Sequence, residues 1–187
     1  MRQAYPVGLE PDHEESLLVN GNSFEIASVN ITFKKWRGAA PQYTFGGKPI
    51  IDYNGKPMFA ELAILEEATK GGWSARWVET YGTHGRVPYY FTSWLDAHLK
   101  QQIVKPLNDP KIEHLLANIS VANGDSYDGC WDVLAWSTEK VLFIESKHRG
   151  RDRIRDTQIK WLSSAIRLGL TKDNFLIAEW KFEDELR

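Results

Sequence analysis

The chain has 187 residues, 42% of them hydrophobic and 26% charged, with a formal net charge of −2; this is ordinary globular composition and enough chain for one domain with a core. The charge excludes a surface coated in basic residues, and the single cysteine, Cys130, excludes an internal disulfide and any Cys-rich zinc site. No apolar leader opens the sequence and no run approaches transmembrane length, so the expectation is a soluble protein of a reducing cytoplasm with no membrane partner.

Residues 1–20 read as irregular, with an acidic stretch at Glu10, Asp12, Glu14 and Glu15. Phe24, Ile26, Val29, Ile31, Phe33 and Trp36 predict one or two strands between Ser23 and Arg37, with a break near Ala27-Ser28. Gly38 to Gly47 reads as loop. Phe45-Gly46-Gly47-Lys48-Pro49 lacks the glycine spacing and the Ser/Thr of a phosphate-binding loop. Pro49 to Tyr53 predicts a short strand and Asn54-Gly55 a turn. Pro57 is placed to open a helix that runs to about Lys70, where Gly71-Gly72 stops it. Met58, Leu62 and Leu65 form its apolar stripe, bordered by Glu61 and Glu66. Trp73 to Tyr81 predicts a strand. Residues 82–125 read as an insertion. Within it Ser93 is placed to cap a helix ended by Pro106, and Asp109-Pro110 to start a second, short one.

The next two hydrophobic runs are Trp131-Asp132-Val133-Leu134-Ala135-Trp136 and Val141-Leu142-Phe143-Ile144-Glu145-Ser146-Lys147. Only Ser137 to Lys140 separate them, which predicts a hairpin. A symmetric turn sets Trp136 opposite Val141 and therefore Asp132 opposite Glu145. Side chains alternate along a strand, so Lys147 shares the face of Glu145. Facing like charges destabilise a strand pair, and a divalent cation held by oxygen ligands would offset them. Asp132 and Glu145 are the candidate ligands, with the backbone carbonyl of Ser146 as a third. Lys147 is the candidate to orient or deprotonate the attacking water or to neutralise a phosphate. This is the layout of a metal-dependent phosphodiesterase.

After Gly150 a helix is expected from about Arg153 to Leu168, with Ile154, Trp161, Leu162 and Ala165 on its stripe. Gln158 lies on that stripe, and a polar amide there must find partners. Asn174 to Phe182 reads as a last strand. From Lys147 to Arg167 there are seven basic residues against two acids, Asp152 and Asp156. Arg149, Arg151, Arg153, Arg155 and Lys160 suit a polyanion backbone, and His148 enters the same loop. A solvated, charge-rich helix start has the same pattern.

Residues 57–182 resemble the PD-(D/E)XK nuclease superfamily, whose core runs α-β-β-β-α-β. The carrying residues are Asp132 and Phe143-Ile144-Glu145-Ser146-Lys147. The basic loop from Arg149 and the run Gln158-Ile159-Lys160-Trp161-Leu162 resemble the VRR-NUC branch. Trp131 stands where the motif has proline, and Ser146 where a β-branched residue is common. The resemblance implies an α/β fold with a restriction-endonuclease-like core, a central mixed sheet flanked by helices. It divides the chain into an extension with short strands at 1–56 and a core at 57–187, with the insertion at 82–125. Phe59-Ala60-Glu61-Leu62-Ala63 resembles the first helix of the family, which implies Glu61 as an auxiliary metal or water ligand. Gln158 is implied as a residue that orients the site. The implied activity is a Mg²⁺- or Mn²⁺-dependent endonuclease acting on DNA, in which a double-strand cut would need a homodimer. Two alternatives stand beside it. One is a nuclease acting on RNA. The other is a non-catalytic nucleic-acid-binding or assembly module on a nuclease-like fold.

Overall fold

The computed structural model describes residues 4–186. Residues 1–3 and 187 lie outside that range, and with them the start of the stretch expected to be irregular and the last residue of the expected core. Among the described residues the protein is α/β, with nine strands in one mixed sheet and three α-helices. The strands are β1 (His13–Val19), β2 (Asn22–Lys35), β3 (Ile51–Tyr53), β4 (Lys56–Met58), β5 (Ser74–Glu79), β6 (Tyr89–Phe91), β7 (Val133–Trp136), β8 (Val141–His148) and β9 (Phe175–Phe182). The helices are α1 (Ala60–Lys70), α2 (Pro110–Ala122) and α3 (Asp156–Arg167). Their order across the sheet is β4-β3-β2-β9-β8-β7-β5-β6, and β1 pairs with β2.

Strands β5, β7 and β8 form an antiparallel series, and β9 lies parallel to both β8 and β2. β8 is thus interior, which suits its unbroken apolar start. Leu142 and Ile144 point to the face covered by Leu62 and Leu65 of α1. Phe143 points to the other face, where Trp161 and Leu162 of α3 and Leu116 of α2 pack. No helix among the described residues is long and apolar enough to cross a membrane.

Several expectations are corrected. The stretch read as irregular carries β1, whose hairpin with β2 turns at Asn20-Gly21. Both turn residues have positive φ, 51° and 83°, the conformation that Asn-Gly supplies in two-residue hairpins. β2 does not break at Ala27-Ser28. Ser28 is where it changes neighbour, meeting His13 of β1 and Ile177 of β9. Pro57 does not open α1. The Asn54-Gly55 turn returns the chain along β3, Pro57 pairs with Asp52 in β4, and α1 begins at Ala60. Proline is tolerated there because β4 is an edge strand.

The helix expected after Ser93 is absent. One short turn forms at Leu99–Gln101, and the Gln102 side chain bonds Leu95 N, Leu95 O and Ala97 O. Leu95 and Ile103 of its supposed stripe are exposed, so burial does not offset the ordering of a helix. The helix after Asp109 does form and runs to Ala122, with Asp109 capping Lys111 N and Ile112 N.

Candidate active site

The hairpin has the expected register, with Trp136 opposite Val141 and Val133 opposite Ile144. One further step sets Asp132, immediately before β7, opposite Glu145 of β8. Both carboxylates face α3. Asp132 Oδ2 accepts from the backbone N–H of Ser146 at 3.0 Å. Glu145 Oε1 accepts from Nε2 of Gln158 at 2.5 Å. Glu145 Oε2 is buried and has no hydrogen-bond partner. Burial and then the Asp132 charge hold the Glu145 carboxyl well above the usual carboxylate range. Asp132 keeps some accessible surface at the cleft floor, yet the surrounding protein withholds bulk water. Burial, and after it Glu61, push its carboxyl up to about 7.

Gln158 is held at both ends of its amide. Its Oε1 accepts from Arg155 N at 2.8 Å, closing the first turn of α3, which leaves Nε2 for Glu145. The approach to β7 is fixed against the same turn. Gly129 has φ +82°, and a Cβ built there would lie 2.0 Å from Thr157 O. Only glycine brings residues 129–131 that close, and Asp132 follows directly.

Glu61, in the first turn of α1, comes in from the other side of the sheet. Its carboxylate is ion-paired with Lys48, a residue of the loop between β2 and β3. Burial pulls the Lys48 ammonium down, but Glu61, Asp132 and Glu79 more than reverse this and hold it above its usual value. Lys48 also lies 5.6 Å from the Trp77 ring centre. Glu79, at the end of β5, is pushed above its usual range by burial first. Lys48 and Glu79 were not among the residues singled out from the sequence. The local pattern around Lys48 carries no signal for its position, because loop packing decides it.

These groups line an open cleft of about 860 Å³, with Ser146 and His148 in its wall and Arg151, Arg153 and Arg155 along one side. Three residues of the expected site, Lys147, Arg149 and Lys160, lie outside that lining, and two within it have partners of their own. Lys147 shares the Glu145 face, yet its ammonium sits 2.8 Å from Glu15 and 3.1 Å from Glu179 and does not line the cleft. Arg149 is spent on Glu179, at 2.5 Å, and on Asn30. Lys160 is exposed on α3, outside the lining. Arg151 lies 3.0 Å from Glu185. His148 is buried, stacks on Trp180 at 3.9 Å between centroids, and lies 3.1 Å from Glu185 Oε2.

Among the described residues, no group of three or more His, Cys, Asp or Glu side chains is placed to hold a metal ion. Glu61 is ion-paired with Lys48. Two facing carboxylates remain, one half-buried and one buried with an unpartnered oxygen, and they need a shared proton or a cation. A hard cation that keeps several waters fits two carboxylates. Comparison with family models, curated proteins and solved structures finds no match to this chain.

Proposed function

We propose that the protein is a Mg²⁺- or Mn²⁺-dependent nuclease that hydrolyses phosphodiester bonds in DNA. The observation that carries this reading is the Asp132–Glu145 pair: two facing carboxylates at the floor of an open cleft, Glu145 buried with its Oε2 unpartnered and Asp132 half-buried beside it. Such a pair costs stability and brings no packing in return, so its use is chemical. The element order supports the same reading. With β6 and α2 set aside, α1, β5, β7, β8, α3 and β9 follow one another as α-β-β-β-α-β. That is the order of a restriction-endonuclease-like core, to which β1–β4 would be an N-terminal elaboration.

Asp132 and Glu145 would hold the metal, and Glu61, buried in the cleft lining against Lys48, would accept from a water on it. When bound, the metal lowers the pKa of a water and stabilises charge on the phosphoryl oxygens. Gln158 fixes the Glu145 carboxylate and so the geometry of the pair. Arg153 and Arg155, both exposed on the cleft side, take the nucleic-acid backbone. The diversion of Lys147 favours the second reading, a non-catalytic nucleic-acid-binding module on the same fold.

One experiment separates the two. Single-stranded, duplex and branched DNA, and RNA, are incubated with the protein in Mg²⁺, Mn²⁺ or chelator. The nuclease reading expects metal-dependent cleavage that Glu145→Ala abolishes while the circular dichroism spectrum is kept. Binding without cleavage in every metal favours the module. Cleavage confined to RNA corrects the substrate.

A further inference from the structure

Among the described residues the cleft is lined by six carboxylates, four of them (Glu61, Glu79, Asp132 and Glu145) grouped with the one lining lysine, Lys48. The lysine that the Glu-x-Lys pattern puts forward is already neutralised. Lys147 stands between Glu15 and Glu179, two acids for one ammonium. To reach the cleft it would have to leave both. Lys48 needs no such rearrangement: it sits in the lining, against Glu61, and feels the Asp132 charge.

The loop that presents Lys48 is anchored. Phe45 packs edge-on against Trp94 and Trp77, with ring centroids 5.1 and 5.9 Å away. Trp94 Nε1 donates to Tyr43 O at 3.0 Å, and Lys48 N donates to Thr44 O at 3.0 Å. At its ends the loop is tied to the sheet, since Trp36 N donates to Ile50 O at 3.2 Å. A charged side chain on a clamped loop is pre-positioned, which is what electrostatic stabilisation of a transition state requires.

We propose that Lys48 is the lysine that acts at this site, binding the scissile phosphate and orienting the attacking water, and that Lys147 serves only to tie β8 to β1 and β9. The inference rests on the nuclease reading and deepens it. Glu61 gives up the Lys48 ammonium to a phosphate oxygen when substrate enters. Its ion pair with Glu61 shows it acting as a cation and hydrogen-bond donor, and an arginine can therefore replace it in part.

The test uses the full chain in five forms: wild type, Lys48→Ala, Lys48→Arg, Lys147→Ala and Glu145→Ala. Three readouts are taken: cleavage of a supercoiled plasmid and a single-stranded oligodeoxynucleotide in Mn²⁺, Mn²⁺ titration calorimetry, and melting temperature. Lys48→Ala is expected to lose about 100-fold in kcat, the scale of one lost charge-stabilising donor, with its fold kept by circular dichroism but a lower melting temperature, because buried Glu61 loses its partner. Lys48→Arg keeps activity within about tenfold of wild type, because the charge and donors remain. Lys147→Ala stays within about threefold but melts at a lower temperature, because Glu15 and Glu179 are left facing one another.

Calorimetry reads the same charge without a substrate. Removing a positive charge beside Asp132 and Glu61 tightens Mn²⁺ binding by about tenfold in Lys48→Ala, and Lys147→Ala leaves it unchanged. Loss of cleavage in Lys147→Ala with cleavage kept in Lys48→Ala overturns the proposal and leaves the nuclease reading standing. Unchanged Mn²⁺ affinity in Lys48→Ala also overturns it. A wild-type protein that neither cleaves nor binds Mn²⁺ overturns the nuclease reading, and the role of Lys48 falls with it.

Discussion

Replacing Asp132 with Asn should stabilise the metal-free protein at neutral and alkaline pH. The folded carboxyl titrates at about 7, against 3.8 for an ordinary aspartate. Between those values the folded chain binds more protons than the unfolded one, so stability falls as pH rises. The loss is absent below the unfolded pKa and complete above the folded one. At about 1.4 kcal/mol per pH unit, holding Asp132 ionised costs about 4 kcal/mol at most. The carboxylate keeps some exposure, so relaxation and water reduce this to about 2 kcal/mol. Asn is nearly isosteric and carries no charge. Its oxygen can still accept from Ser146 N, and its amide can donate to the orphaned Glu145 Oε2.

The assay is thermal and urea unfolding of both proteins with chelator present, at about pH 4.5 and about pH 8. For a chain of this size about 2 kcal/mol corresponds to a rise of roughly 4–8 °C at the higher pH. At the lower pH Asp132 is protonated in the folded protein and only the part of the loss that starts at the unfolded pKa remains, so the gap between the two should shrink to about a quarter. Comparing the pair at each pH cancels the titrations that do not feel Asp132; Glu145 does, and its relief in the variant adds to the gain at the higher pH. A variant equally or less stable than wild type at both pH values would refute the reasoning: the carboxylate pair would then not be under electrostatic stress.

Gly129→Ala should destabilise by at least about 2 kcal/mol, because the new Cβ meets Thr157 O at a positive φ; an unchanged urea midpoint would remove Gly129 from the account. Gln158→Leu should lower stability by about 2 kcal/mol through loss of the donor to Glu145 and the acceptor for Arg155 N; equal stability of variant and wild type would mean that neither bond matters. Arg153→Ala combined with Arg155→Ala should weaken nucleic-acid binding for every sequence and reduce the salt slope by about 2. Fluorescence anisotropy over a salt series reads it, and an unaltered slope would place the backbone elsewhere.

The parts of the fold legible in the sequence are those decided over short distances. The β7–β8 register follows from a four-residue turn and the alternation of apolar side chains, and it holds to the residue. α3 is legible for the same reason, since its apolar period and Gln158 lie within one element, although it starts at Asp156 and not near Arg153, where the expected start is still loop. The absent helix after Ser93 shows the limit. Its period is helical, but there was no second surface to bury Leu95 and Ile103, and periodicity alone does not report the partner. β1 escaped for the opposite reason. Its Asn20-Gly21 turn is a strong local hairpin signal, but the strand before it is acidic and has few apolar residues, and it is stabilised through β2.

The missed strand and the misplaced lysine are one error. Alternation put Lys147 on the right face, and it is there. A lysine carries its charge at the end of a flexible four-carbon stem, so its position is set by whichever acids it can reach. One of them, Glu15, lies on β1, far away in sequence in the stretch read as irregular. Once β1 is in place, Glu15 and Glu179 take the ammonium and leave the carboxylate pair without that cation. The same N-terminal region supplies the replacement, since Lys48 hangs from the connection between β2 and β3. The extension is therefore part of the proposed site on two counts: it draws one lysine out of the cleft and delivers another into it. A core cut at residue 57 would keep Asp132, Glu145 and Gln158 in sequence but would leave Glu61 facing Asp132 without Lys48 between them.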